Sequence, residues 1–122
     1  MKAFIAACIC FALLSLFLFG SAALLSRQAL SLSREASELA EAPVEDREAG
    51  ASALCDRWDK ERIFFVIFVH EEELAPLESA LTRARAAAKI KSDSDFAIAV
   101  AEVLSELEHV EWLVGTHLES LL

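Results

Sequence analysis

Three glycines, two prolines and no tyrosine in 122 residues are too few turn formers for a many-stranded sandwich or barrel. Basic charge is scarce too. Eleven Lys and Arg stand against 20 Asp and Glu, a formal net charge of −9, which excludes a basic nucleic-acid binder. Of three cysteines, Cys8 and Cys10 lie in an apolar N-terminal stretch, which leaves Cys55 alone in the remainder and excludes a disulfide framework. No glycine-rich phosphate loop, nucleophile elbow or Cys-x-x-Cys pair occurs, so neither enzymatic chemistry nor a bound cofactor is expected. With 56% hydrophobic residues the composition is also far from that of a disordered chain. These exclusions leave an all-α protein.

Charge is absent altogether from Ala3 to Leu25, a run rich in Leu, Phe, Ile and Ala. As a helix it would span roughly 35 Å, enough to cross a bilayer core. Gly20-Ser21-Ala22-Ala23 has the small residues that signal peptidase reads, and a cut near Ala23 would release a secreted protein. The apolar stretch before that point is longer than the usual h-region of about 7–15 residues, which favours an uncleaved signal anchor. Ile5-Ala6-Ala7-Cys8 imitates a lipoprotein box but leaves too short a leader, so lipidation of Cys8 is rejected. Lys2 on one side and Arg27 and Arg34 on the other do not set the orientation by charge. A short tail before a signal-like run is the common arrangement with the N-terminus inside. The expectation is therefore a single-pass cell-membrane protein with an extracytoplasmic soluble part.

Beyond the anchor (residues 1–25), Leu25, Ala29, Leu32, Ala36 and Leu39 repeat at four-three spacing, predicting a helical stalk with a weak apolar seam. Ala42-Pro43 stops it, and Pro43, Glu45, Asp46, Glu48 and Gly50 read as a bend and a frayed helix start, so residues 26–50 form stalk and hinge. An acidic helical domain follows over residues 51–122. Its first helix is expected to be long, from about Ala51 to Lys89, with Leu54 and Trp58 and then a seam of Ile63, Ile67, His70, Leu74, Leu77, Leu81, Ala84 and Ala88. Pro76 predicts a kink or break near Glu72 to Ala75. Residues 63–69 are strand-like by propensity, but no turn formers flank them and no second such run exists to pair with.

Arg83, Arg85, Lys89 and Lys91 match the C-terminal end of that helix dipole, and Asp93 and Asp95 the start of the next. With Ser92-Asp93-Ser94-Asp95 as cap, a last helix from about Ser94 to Leu121 carries Phe96, Val100, Val103, Leu107, Val110, Val114, His117 and Leu121 on its seam. The short connection makes these two helices an antiparallel hairpin.

His70, between Ile67 and Leu74, is expected to pack in the seam with Glu73 within reach; as a buried neutral ring it would make the fold lose stability in acid. His70-Glu71-Glu72-Glu73-Leu74 starts like a zinc-peptidase helix, but Leu74 stands where the second histidine is required. Glu106 and His109 have the Glu-x-x-His spacing of helix-bundle di-iron sites, and with His70 and Glu73 they are the candidates for a metal- or ligand-binding bundle. A single copy of that spacing is weak, and a solvated acidic face of Glu106, Glu108 and Glu111 is the simpler expectation. Trp58 and Trp112 are expected to be core anchors. Were the stalk and second helix to fold back about Pro43, the chain would return toward the bilayer near Arg62, giving Trp58 an interfacial place, and the apolar run of residues 63–69 around Phe65 would meet the lipid surface. Cys55 is expected as a small buried residue, the alternative being an intermolecular disulfide.

The N-terminal anchor, Trp58, the apolar helix leading to His70-Glu71-Glu72-Glu73-Leu74, the basic-then-acidic turn and Leu107-Glu108-His109-Val110-Glu111 occur in an order that resembles one bacterial family. This is the domain-of-unknown-function family numbered four-three-six-three, short membrane-anchored proteins of Gram-positive, often spore-forming bacteria. The resemblance implies location and architecture and transfers no mechanism. Gly115-Thr116-His117 departs from it. The functional expectation is a non-enzymatic interaction or assembly module whose partners are the bilayer and a second copy or another membrane protein. Its contacts would come from Trp58, Phe65, His70 and Trp112.

Overall fold

The structure is a computed structural model that describes the backbone of residues 1–120 and the side chains of residues 1–116. Among the described residues it is all-helical, with α1 over Lys2–Ala40, α2 over Val44–Phe65, α3 over Glu71–Lys89 and α4 over Asp93–Ser120. Each helix packs on its neighbours in chain order and α4 closes the ring against α1, an up-down-up-down bundle of four.

The seam expected of a stalk is buried from Leu25 to Leu39, with Ala22 added below it. It faces α4 rather than solvent, so the upper half of α1 is one wall of the bundle. Small Ala22, Ala29 and Ala36 alternate with Leu25, Leu32 and Leu39, which lets the backbones approach closely. On α4, Phe96, Val100, Val103, Leu107, Val110 and Val114 are all buried; the expected seam positions His117 and Leu121 lie outside the residues whose side chains are described.

The hinge region is tighter than its composition predicts. Pro43 is the N-cap of α2, and Glu45 and Asp46 in the first turn complement the helix dipole, so the helix starts firmly at Val44. Gly50 lies inside α2, where a Cβ would come within 2.6 Å of Leu39 Cδ1; its bare backbone lets α2 lie close against α1.

The single long helix expected from Ala51 to Lys89 is two helices. The break comes at Val66–His70, ahead of Pro76, which sits exposed inside α3. There its missing N–H costs only the bond to the carbonyl of exposed Glu72, a group that water can satisfy. The chain turns where β-branched and aromatic residues crowd, with the Phe68 and Val69 N–H groups donating to the Phe65 carbonyl at 3.1 and 2.9 Å. The turn tucks Phe65, Phe68 and Val69 under the end of the bundle.

At the opposite end α3 closes with Lys91 in the left-handed region at φ 57°, while the Ser92 and Lys91 amides donate to the Ala87 and Ala88 carbonyls, a Schellman arrangement. The Ser92 hydroxyl then donates to Asp95 Oδ2 at 3.0 Å as α4 begins.

Arginines staple the helices in pairs. Arg57 bridges to Glu35 at 2.7 Å and to Ser31 at 2.9 Å across α1–α2, and Arg62 grips Glu78 with two hydrogen bonds of 3.0 and 3.2 Å across α2–α3. Arg83 pairs with Glu102 across α3–α4, and Arg47 reaches Asp93 while lying 5.0 Å over the Phe96 ring. Among the described residues none that is fully buried is polar or charged.

Candidate functional site

The singled-out residues separate into three groups. Trp58 is a core anchor as expected, buried at 2% exposure, with its ring centroid 5.2 Å from that of Phe65. Its Nε1–H has no hydrogen-bond partner in the structure. Phe65 is wholly buried as well, so neither ring is available as a contact residue. Both follow the α2 register Ala51, Leu54, Trp58, Phe65, which the expected seam left when it moved on to Ile63.

The second group is the polar set. His70 is not in a seam: it is the exposed N-cap residue of α3, so there is no buried ring for acid to charge and the expected acid sensitivity loses its basis. Its proposed partner Glu73 instead meets His109 of α4, with 3.3 Å between Oε2 and Nε2 at the surface. His109 stacks on Trp112, ring centroids 6.1 Å apart and 17° from parallel. The structure thus joins two of the four metal candidates. Among the described residues no group of three or more His, Cys, Asp or Glu is close enough to hold a metal ion. Trp112 is not a core anchor; it is 62% exposed, because it falls two residues past Val110 and off the buried α4 seam.

The third group was hidden by the break in the second helix. Ile63, Phe64 and Ile67 are exposed around the α2–α3 turn. Phe64 and Ile67 face Phe17, Leu18, Leu24 and Leu25 of α1 across an apolar pocket of about 310 Å³. Gln28 also lines it, and its side-chain carbonyl oxygen is buried without a hydrogen-bond partner. The α1 residues carry no separate sequence signal, since they read simply as membrane anchor. Only a fold-back about Pro43 pointed to this juxtaposition.

Cys55 is half-buried beside Trp58, its thiol 3.5 Å from the Leu81 carbonyl. Burial pushes the thiol up from its ordinary value; Arg85 opposes this and Asp59 and Asp56 add to it. That setting fits the small-residue reading better than a reactive one.

Compared with known proteins, the chain matches no family model, no curated protein and no solved structure. Function must be argued from geometry. Among the described residues one helix, Lys2–Ala40, is long and apolar enough to cross a membrane, and its most apolar window has a mean hydropathy of 2.6 with nothing buried inside the protein. Phe4, Phe11, Leu16 and Phe17 are among its freely exposed side chains.

Proposed function

We propose that the chain is a non-enzymatic, membrane-anchored interaction module of the cell surface, with α1 inserted N-terminus inside and the acidic bundle outside. The carrying observation is the division of labour within α1. Below Ala22 no side chain of α1 is buried and Leu18 alone of its large apolar residues packs partly on the core, whereas above Ala22 every seam residue is packed. The unburied stretch Ala3–Ser21 is roughly 28 Å long, about the thickness of a hydrocarbon core. The use of the charged side chains supports the non-enzymatic part, because three arginines and their carboxylates staple neighbouring helices and a fourth, Arg47, ties α2 to the start of α4 across the ring.

A cut near Ala23 would leave the wall from Leu25 to Leu39 intact, so a secreted form would keep most of the same bundle. Trypsin applied to intact protoplasts distinguishes the arrangements. Loss of the bundle is expected for an anchored outward domain, full protection contradicts the orientation, and recovery in the medium contradicts the anchor. For the interaction role, amine-reactive crosslinking in native membranes should give discrete adducts with a second copy or another membrane protein. An uncrosslinked band at every reagent level contradicts it.

The Glu73–His109 contact favours one rival reading, a metal- or ligand-binding bundle that adds Glu106 and His70. Metal analysis of protein purified without chelator, beside His109→Ala, decides it. Stoichiometric metal lost in the variant would replace the non-enzymatic module with a metal protein.

A further inference from the structure

Resting on the membrane reading of α1, we infer that the α2–α3 turn is a second membrane contact, which dips into the bilayer interface beside α1 and seats that end of the bundle on the lipid surface.

Membrane segment and bundle overlap along α1. The uncharged run of α1 continues to Leu25, with Arg27 the first charge, yet the bundle already begins at Leu18 and Ala22. No linker separates membrane segment from bundle, so whatever packs beside residues 17–28 sits level with the edge of the hydrocarbon. The element found there is the turn, through Phe64 and Ile67.

Ile63, Phe64 and Ile67 are 63, 52 and 67% exposed, and Phe64 and Ile67 share one pocket with Phe17 and Leu24 of α1. An amphipathic element at the membrane boundary with bulky apolar side chains outward is suited to the headgroup–acyl boundary. Register adds an aromatic. His109 of α4 pairs with Glu73 in the first turn of α3, so Trp112, one turn further along, lies at this same end of the bundle, at the depth where tryptophan rings collect. Glu71 and Glu72 beside the turn oppose anionic lipid, so the surface that fits is a zwitterionic one.

The test uses the full chain in phosphatidylcholine vesicles with one environment-sensitive fluorophore at a time. The sites are native Cys10 (with Cys8→Ser and Cys55→Ala), or Ile67→Cys or Ser94→Cys in the cysteine-free chain. All three positions are exposed, so the labels replace no packing. The expected result is emission shifted to shorter wavelength at positions 10 and 67, quenched at 67 by lipids spin-labelled near the headgroup and at 10 by lipids spin-labelled deep in the acyl chain, with neither effect at 94. Position 67 behaving like 94 while 10 is quenched overturns the turn contact and leaves the anchor standing. No quenching anywhere overturns both. A shift at 67 that is insensitive to spin-labelled lipid and vanishes on dilution in lipid assigns the patch to a second copy, and so overturns the inference.

Discussion

Lys91 holds a left-handed backbone at φ 57°, where a Cβ costs about 1–2 kcal/mol and glycine is at ease. Lys91→Gly is therefore expected to raise unfolding free energy by about 0.5–1 kcal/mol in urea titration, after the extra freedom glycine gives the unfolded chain is subtracted. Trp58 offers the opposite case. Truncation to Ala should cost about 3–5 kcal/mol. Trp58→Phe should cost far less, since removing an indole N–H that has no partner offsets part of the lost contact. Cys55, whose thiol burial pushes up, carries less thiolate at a given pH than an exposed thiol. Its alkylation by iodoacetamide should be slower than that of glutathione at pH 8 and should rise toward higher pH; equal rates would mean the thiol is open. At this scale the sequence was readable where residue type and register agreed, as for Trp58 and Cys55. It misled for Trp112, where ring size argued for burial and the position two residues past Val110 argued against it.

Among the elements, α1 and α4 were legible nearly to the residue because their four-three repeats run unbroken, and every described seam position is buried. The second helix was not. Its apparent seam through Ile63, Ile67 and His70 is a coincidence of spacing across a break, and α2 and α3 each keep their own register, Trp58–Phe65 and Leu74–Ala88. Periodicity alone cannot show a phase reset in a stretch where nearly every residue is apolar. The staples between elements were invisible for a different reason: an arginine's partner on another helix depends on the packing of both. Arg57 and Glu35 are each about one-third exposed or less, and solvent screening leaves such a pair worth about 0.5–1 kcal/mol. A double-mutant cycle with Arg57→Met and Glu35→Gln should return a coupling of that size, falling as salt rises. A coupling of zero at low salt would remove Arg57 as a link between α1 and α2.

For the whole molecule, the consequential difference from the expected anchor, stalk and separate acidic domain is that one uninterrupted helix is both the candidate membrane span and a wall of the bundle. A stalk with a weak seam looks the same in sequence as a helix whose seam is matched, because the matching face is supplied by α4, far along the chain. The apolar faces of the α3–α4 hairpin are covered from within the chain by α1 and α2. The bundle is thus continuous with the candidate span, with no break in α1 between them. The most direct test compares denaturant unfolding, followed by circular dichroism, of residues 21–122 and 41–122. The longer piece keeps the wall from Ala22 to Leu39 and should unfold in one cooperative transition. The shorter piece exposes the α4 seam from Phe96 to Val114 and should lose that cooperativity, melting gradually or associating. If residues 41–122 alone unfold as cooperatively as the longer piece and with the same midpoint, α1 is only a tether, and the central claim is wrong.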